Sequence, residues 1–388
     1  MSIILDSPSA QHDFSRGPYW YHESPFLPIR ESERNESGSP SLKDTATRRL
    51  LMDQSALKPE LFEHVPWKIA KELWEFLGNR GKKTLLMWKI LTMKYPKQFS
   101  QISSSYCLRT RSPKMPLKGY IDIIKSDTCH WRAVLSLSST YATVADLVDI
   151  GNLKNLVALE INGRLYDPSM SARHSTREVI ELDDGVVRSW AEAAQSTGSL
   201  QNLQVLRIYQ QKSLTHHIFW MLEKLPRLKL VVIYQCDEIT QGLSHPKSRT
   251  KLGVQVGGWN AQRLDWLSDG QQKMDALKLL GPLSQVYEEG LSLTDINQTL
   301  KAPMLVSNTP MMEFCLPALH CDDPEKEKEN RRAKYAAKSI FIFTRAAEKN
   351  DRKRAPEQIQ QPRNTGKRIM KERGGRDMAD VLGDFFEM

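Results

Sequence analysis

A chain of 388 residues has room for one large domain with appendages, or for two domains, and its 40% hydrophobic content is low for a chain that is folded throughout. The formal charge of +9 is uneven: between Arg331 and Arg376, 15 Lys and Arg stand against 4 Asp and Glu, so the remainder is slightly acidic and the pI of 9.2 belongs to the tail. No apolar run approaches the ~20 residues of a spanning helix, and Met1–Ser15 carries acids where a signal peptide needs a positive region, so a soluble, intracellular protein without membrane contact is expected.

Taken in chain order, residues 1–40 are rich in Ser, Pro, Glu and Arg, hold no period and are expected to be mostly disordered. Residues 41–100 form a helical module. A pattern starts near Leu42, and a denser block runs from Leu61 to Phe99. Pro66 opens a helix at a position where its missing N–H is harmless, and Ile69, Leu73, Trp74 and Leu77 follow as one apolar face. A polar turn leads to Thr84, a candidate N-cap, and to a second helix with Leu85, Leu86, Trp88, Ile90 and Leu91. Residues 101–320 are the third unit: loop with short extended pieces to 128, then alternating short apolar strands and helical stretches. Val186–Gln195 follows a capping Asp183-Asp184-Gly185, and Leu214–Leu225 follows Ser213. Residues 321–388 read as a basic, largely disordered tail that lacks an aliphatic pattern apart from Ser339–Phe343 and the last dozen residues.

Three segments share the spacing Leu-x-x-Leu-x-x-(Leu/Val)-x-Ile: Leu153-Leu156-Leu159-Ile161, Leu200-Leu203-Leu206-Ile208 and Leu225-Leu228-Val231-Ile233. The last two apolar positions alternate as a half-buried strand does, and the leading leucines turn the chain into the same core. Ile208 and Ile233 are 25 residues apart, Leu137 and Ile161 are 24, and Ile233 and Val256 are 23; the 47 residues from Ile161 to Ile208 fit one unit with an insertion. Over 131–260 the chain resembles leucine-rich-repeat proteins of the strand–helix kind. The resemblance implies an α/β fold: an irregular solenoid that binds a partner on its concave strand surface. An ordinary α/β domain with leucine-rich helices is the other reading.

The block at 61–99 resembles an F-box, whose outline is an apolar residue and Pro, a helix, a turn and an amphipathic helix carrying Trp or Tyr. In that family the module docks on the small adaptor subunit of cullin-RING ubiquitin ligases. The resemblance implies adaptor contact or core roles for Val65, Pro66, Ile69, Leu73 and Leu77, with Leu86 and Trp88 in the second helix. Trp88-Lys-Ile-Leu-Thr-Met-Lys-Tyr95 departs from the family pattern. The alternative is a helical cap that covers the end of the repeat region.

Lys353, Arg354, Lys367, Arg368, Lys371 and Arg373 lie in two clusters with the layout of a bipartite nuclear import signal, although such clusters also suit nucleic-acid phosphates or merely solvate a tail. Near the C-terminus Met378, Val381, Leu382, Phe385 and Phe386 share one helical face with acids opposite, a pattern that folds into a partner's groove or back onto its own chain. No phosphate loop, nucleophile elbow or zinc-protease motif occurs. His216-His217 point apart on a helix, and Cys315, His320 and Cys321 lack a fourth ligand, so no metal or other cofactor is expected. The five cysteines form no Cys-x-x-Cys and fit a reducing compartment. The expected function is a non-enzymatic interaction scaffold, the substrate-recognition subunit of a cullin-RING ubiquitin ligase with an adaptor and a substrate as partners. The alternative is a nuclear scaffold without a ligase link, associated with nucleic acid through its tail. The expected location is nuclear or nucleocytoplasmic.

Overall fold

Residues 2–4, 24–27, 41–110, 113–163, 180–239, 254–263, 278–294, 309–316 and 340–345 are described by a computed structural model of the chain. The chain divides into two compact units, Met1–Ala347 and Glu348–Met388, and every described residue belongs to the first. The tail residues proposed for nuclear import and the apolar C-terminal motif lie outside the described residues, as do His320 and Cys321.

The first helix, α1 (Leu42–Leu51), starts where Ser41 Oγ accepts from the Asp44 N–H at 3.1 Å, a side-chain cap for an otherwise unsatisfied donor. Pro66, extended at φ −61°, leads into α2 (Trp67–Asn79), which ends at the left-handed Gly81. Thr84 Oγ1 caps α3 (Leu85–Lys94), and α4 (Pro96–Ser100) follows after the single non-helical residue Tyr95. The face of α2 that packs inward is Ala70, Leu73, Trp74 and Leu77. The apolar stripe is therefore rotated from the expected one. Small Ala70 takes the interior place, and Ile69 stays 48% exposed. Helix α3 is interior nearly all round, with Trp88 between Tyr106 and Trp131 at ring-centroid distances of 5.7 and 6.0 Å. The helical module and the strands C-terminal to it share one apolar core.

The strands are β1 (Ser2–Ile4), β2 (Ser105–Arg109), β3 (Arg132–Ser138), β4 (Leu156–Asn162), β5 (Val205–Tyr209), β6 (Leu230–Tyr234), β7 (Val254–Val256), β8 (Trp259–Arg263), β9 (Met311–Leu316) and β10 (Ile340–Arg345). They form one sheet in the order β1-β2-β9-β3-β4-β5-β6-β10-β8-β7. From β1 to β6 every pairing is parallel; β10, β8 and β7 add antiparallel pairs. The fold is thus mixed α/β with a single open sheet. Helices α5 (Leu117–Ile124), α6 (Val144–Ile150), α7 (Asp184–Ser196) and α8 (Ile218–Leu222) fall between the parallel strands. Thr143 and Asp146 form a capping box on α6, and Asp183 caps α7. The last helix, expected over 214–225, is shortened to Ile218–Leu222.

The twelve leucine, valine and isoleucine positions of the three repeated segments all sit in one core at 0–1% exposure. Ile161 pairs with Ile208 and Ile208 with Ile233, so one unit spans the 47-residue interval. Backbone geometry repeats too. Cys129 and Leu200, at equivalent places ahead of β3 and β5, have φ of 55° and 54°; Gln210 and Gln235, just past β5 and β6, have 56° and 53°. Left-handed backbone at non-glycine residues is costly, and its recurrence marks the same turn used again. Gln210 Nε2 donates to Gln235 Oε1 at 2.8 Å, tying one unit to the next.

Three expectations are corrected. Val254–Val256 does not pair with β6; it is an outermost strand, and β10 takes the place beside β6. The tail does not begin at 321, because Ile340–Phe343 are 0–5% exposed inside the sheet. Residues 1–40 are not structureless throughout: Ser2–Ile4 pairs with β2, and Leu27 is buried where Phe26 bridges to Asp53. Adding late segments to an early sheet cannot be read from local periodicity, which carries no information on pairing partners.

Candidate functional site

Strand alternation gives the sheet two faces. One, with Leu159, Ile161, Leu206 and Ile208, packs on the helices. The other carries Val134, Val205, Val232 and Ile342 and is partly covered by α9 (Leu283–Thr294) through Leu283, Val286 and Tyr287. Across this second face runs a line of polar residues in register over five strands: Arg109 on β2, Cys315 on β9, Ser136 on β3, Glu160 on β4 and Arg207 on β5.

Glu160 and Arg207 form a buried ion pair, 6% and 1% exposed, in which Arg207 Nη2 donates to Glu160 Oε2. The other carboxylate oxygen accepts from Ser136 Oγ at 2.8 Å and Asn162 Nδ2 at 2.9 Å. Arg207 Nη1 donates to the carbonyls of Leu279 and Gly281, at 3.2 and 2.6 Å, which anchors the chain as it enters α9. Ser284 Oγ donates to Glu313 at 3.2 Å, a second tie between α9 and the face. A buried charge pair of this kind sets register more than it adds stability. Both carboxylate oxygens of Glu160 and both terminal guanidinium nitrogens of Arg207 are engaged, which suits holding a surface in shape. Cys315, beside Glu313 on this face, has its thiol pushed up by burial first and then by that carboxylate. Burial raises Cys236 to about 12 and also raises Cys129, so these thiols are poor nucleophiles.

Neither Glu160 nor Arg207 was singled out by the sequence reading. Their signal was present: opposite charges at the same position of two repeated segments, Leu159-Glu160-Ile161 and Leu206-Arg207-Ile208.

The second candidate surface is on the helical module. Of the five residues assigned to adaptor docking, Pro66 and Ile69 are exposed, Val65 is half-buried, and Leu73 and Leu77 are interior at 4% and 0%. Leu61, just ahead of them, is 58% exposed. Trp67 is half-buried against Tyr95 and Phe99, and the Tyr95 hydroxyl, whose pKa burial raises, donates to the carbonyls of Phe62 and Val65. This fixes the loop that presents Leu61 and Pro66. Leu86 is half-buried and Trp88 fully interior. A cleft of about 170 Å³ lies behind the module between Trp74, Lys83, Ser103–Ser105 and Tyr106.

The rings of His216 and His217 lie 4.2 Å apart with a tilt of 35°, ahead of α8 and not pointing apart on a helix as expected, and among the described residues no group of His, Cys, Asp or Glu is placed to hold a metal ion. No helix among the described residues is long and apolar enough to cross a membrane. Comparison with protein-family models, with curated proteins and with solved structures finds no match to this chain.

Proposed function

We propose that this chain is a non-enzymatic protein–protein interaction scaffold, the substrate-recognition subunit of a cullin-RING ubiquitin ligase. In this reading 61–99 is an F-box-like docking module, and the strand–helix region is an irregular leucine-rich-repeat solenoid that holds the substrate. One observation carries it: Ile69, where the F-box resemblance expects adaptor contact, exposes a large apolar side chain, as does Leu61 on the same module. Large apolar side chains left in solvent are what a partner surface would cover. Leu73 and Leu77 belong to the module's interior, so the docking set narrows to Val65, Pro66 and Ile69, to which the exposed Leu61 is added. Nuclear import through the 353–373 clusters is part of the same proposal.

The experiment is affinity purification of the wild-type chain and of Leu61→Lys/Ile69→Lys. Wild type is expected to recover adaptor and cullin, and the variant to lose both with an unchanged melting temperature. Recovery of neither by wild type sinks the ligase reading. A second reading, a nuclear scaffold in which the module is a cap, is favoured by the continuous core between α3 and the sheet through Trp88 and Trp131. It requires that the double lysine variant leave the set of co-purified proteins unchanged.

A further inference from the structure

The cleft of about 170 Å³ behind the helical module is lined by Trp74 and Lys83 and by the segment 102–106 that leads into β2, with no Asp or Glu among its lining residues. Lys83 is held in one place by its neighbours. Gly81 takes a left-handed φ of 63°, and the Lys82 N–H donates to the Leu77 carbonyl at 2.9 Å, which closes the turn after α2. The buried Gln54 then clamps the residues on either side of Lys83. Its Nε2 donates to the Lys82 carbonyl at 3.1 Å, and its Oε1 accepts from Thr84 Oγ1 at 2.6 Å. The Lys83 stem folds over Gly78, where an added Cβ would stand 2.6 Å from Cε and 2.8 Å from Nζ. The ammonium ends 4.7 Å from the Trp74 ring centroid, and among the described residues no carboxylate pairs with it.

Along 103–105 the backbone is engaged and the side chains are not. The Ser103 N–H donates to the Phe99 carbonyl at 2.9 Å, and the Ser104 carbonyl accepts from the Met311 N–H at 2.8 Å. The hydroxyls of Ser103, Ser104 and Ser105 have no hydrogen-bond partner among the described residues. A fixed ammonium and three unused hydroxyls, with no carboxylate beside them, suit an oxyanion. A phosphate group, with three acceptor oxygens and about −1.5 to −2 charge at pH 7, uses more of these donors than a carboxylate does. The cleft is smaller than the roughly 300–1,000 Å³ that encloses a drug-sized ligand, so it takes a small group and not a nucleotide. The exposed Ile102 supplies an apolar contact for the few carbons of an ester.

We propose that this cleft binds the phosphate group of a small phosphate monoester, with Lys83 as counter-ion and the Ser103–Ser105 hydroxyls as donors. This goes beyond the adaptor-docking reading and is independent of it, since none of Leu61, Val65, Pro66 and Ile69 lines the cleft.

The test is isothermal titration calorimetry of the full chain with glycerol phosphate in a phosphate-free buffer. Inorganic phosphate, acetate and a phosphoserine peptide are the other probes. Wild type is expected to bind a single equivalent of glycerol phosphate saturably and to give no measurable heat with acetate. Lys83→Met keeps the stem over Gly78 and removes the charge, so binding should weaken about tenfold or more at an unchanged Tm. Gly78→Ala keeps every charge but pushes the ammonium from its place, and alanine inside a helix does not lower Tm. It too should weaken binding. Lys58→Met, at an exposed lysine outside the cleft, should bind as wild type does. The proposal is overturned by the absence of saturable binding to wild type or by undiminished affinity in Lys83→Met. An equal loss in Lys58→Met overturns it as well, since the effect would then belong to overall charge. Tighter binding of inorganic phosphate or of the phosphoserine peptide than of glycerol phosphate would overturn the assignment to a small monoester.

Discussion

The helical module at 42–100 and the sheet C-terminal to it share one core but place their leftover residues differently. In the sheet, strand alternation sends Leu159 and Ile161 to one face and Glu160 to the other, and the charge left there meets Arg207 on the next strand. In the module, α2 packs Ala70, Leu73, Trp74 and Leu77 and leaves Ile69 in solvent with no partner strand to cover it. The sheet resolves its exceptions internally, whereas the module presents them outward. A stabilising role and the proposed binding role are thereby separable by substitution.

The largest effect expected is from ending the chain at Ser339. This removes β10 from between β6 and β8, and with it Phe341 and Phe343, buried at 1% and 0%. Losing a buried Phe costs about 3–5 kcal/mol, and two of them approach the roughly 5–15 kcal/mol that holds a domain together. Cooperative thermal unfolding is expected to disappear; a truncated chain that still melts sharply would show that β10 is dispensable.

Next comes the ion pair. Glu160→Leu leaves the Arg207 guanidinium buried without its carboxylate and is expected to cost about 3–5 kcal/mol in urea unfolding, whereas Glu160→Leu/Arg207→Leu should recover most of that. Equal losses in both variants would mean that packing, and not the uncompensated charge, dominates. In the module, Thr84→Ala removes the α3 cap and the bond from Thr84 Oγ1 to the buried Gln54 Oε1 at 2.6 Å. About 1–2 kcal/mol should be lost. A change within error would place the cap outside the cooperative unit.

A smaller effect concerns pH. Cys236 has a folded-state pKa of about 12 against an ordinary 9.0, so the native chain holds this proton more tightly than the unfolded one. Its contribution is fully present below pH 9.0 and is lost as the pH rises towards 12. Iodoacetamide at about pH 8, below the ordinary thiol pKa, should leave Cys236 unlabelled until denaturant is added, and Cys236→Ser should flatten the alkaline arm of the stability curve. The smallest effect is at Lys43–Glu72, paired at 2.8 Å on the surface. The hydrogen bond from Lys43 lowers the Glu72 pKa, so its contribution holds above the ordinary 4.5 and fades as pH falls. Glu72→Gln should move the melting temperature by a degree or less, and a larger shift would mean that this pair anchors α1.

Local pattern made much of the interior legible. Leu153 to Ile161, Leu200 to Ile208 and Leu225 to Ile233 announced parallel strands, and Thr84 and Asp183 announced helix starts. What stayed hidden was pairing between distant segments. Nothing in Met311–Leu316 says that it inserts between β2 and β3, because strand order is decided by side-chain complementarity across the whole sheet. The inward face of α2 also differs from its pattern at one position, since Ile69 outranks Ala70 in hydropathy yet Ala70 is the buried one. The buried pair Glu160–Arg207 was legible only once the two repeated segments were known to be neighbours.

The position of β9 has a consequence in time. Ribosomes deliver β2 and β3 early, but the strand that lies between them comes near the end, and Arg132 waits for the carbonyl of Thr309, 177 residues later. β10 arrives later still. During synthesis the nascent sheet therefore carries a vacant slot between β2 and β3, lined by donors and acceptors in search of a strand. Long-range closure of this kind is slow, and such edges invite the wrong neighbour. The strand order leaves the sheet incomplete until β9 and β10 have been made.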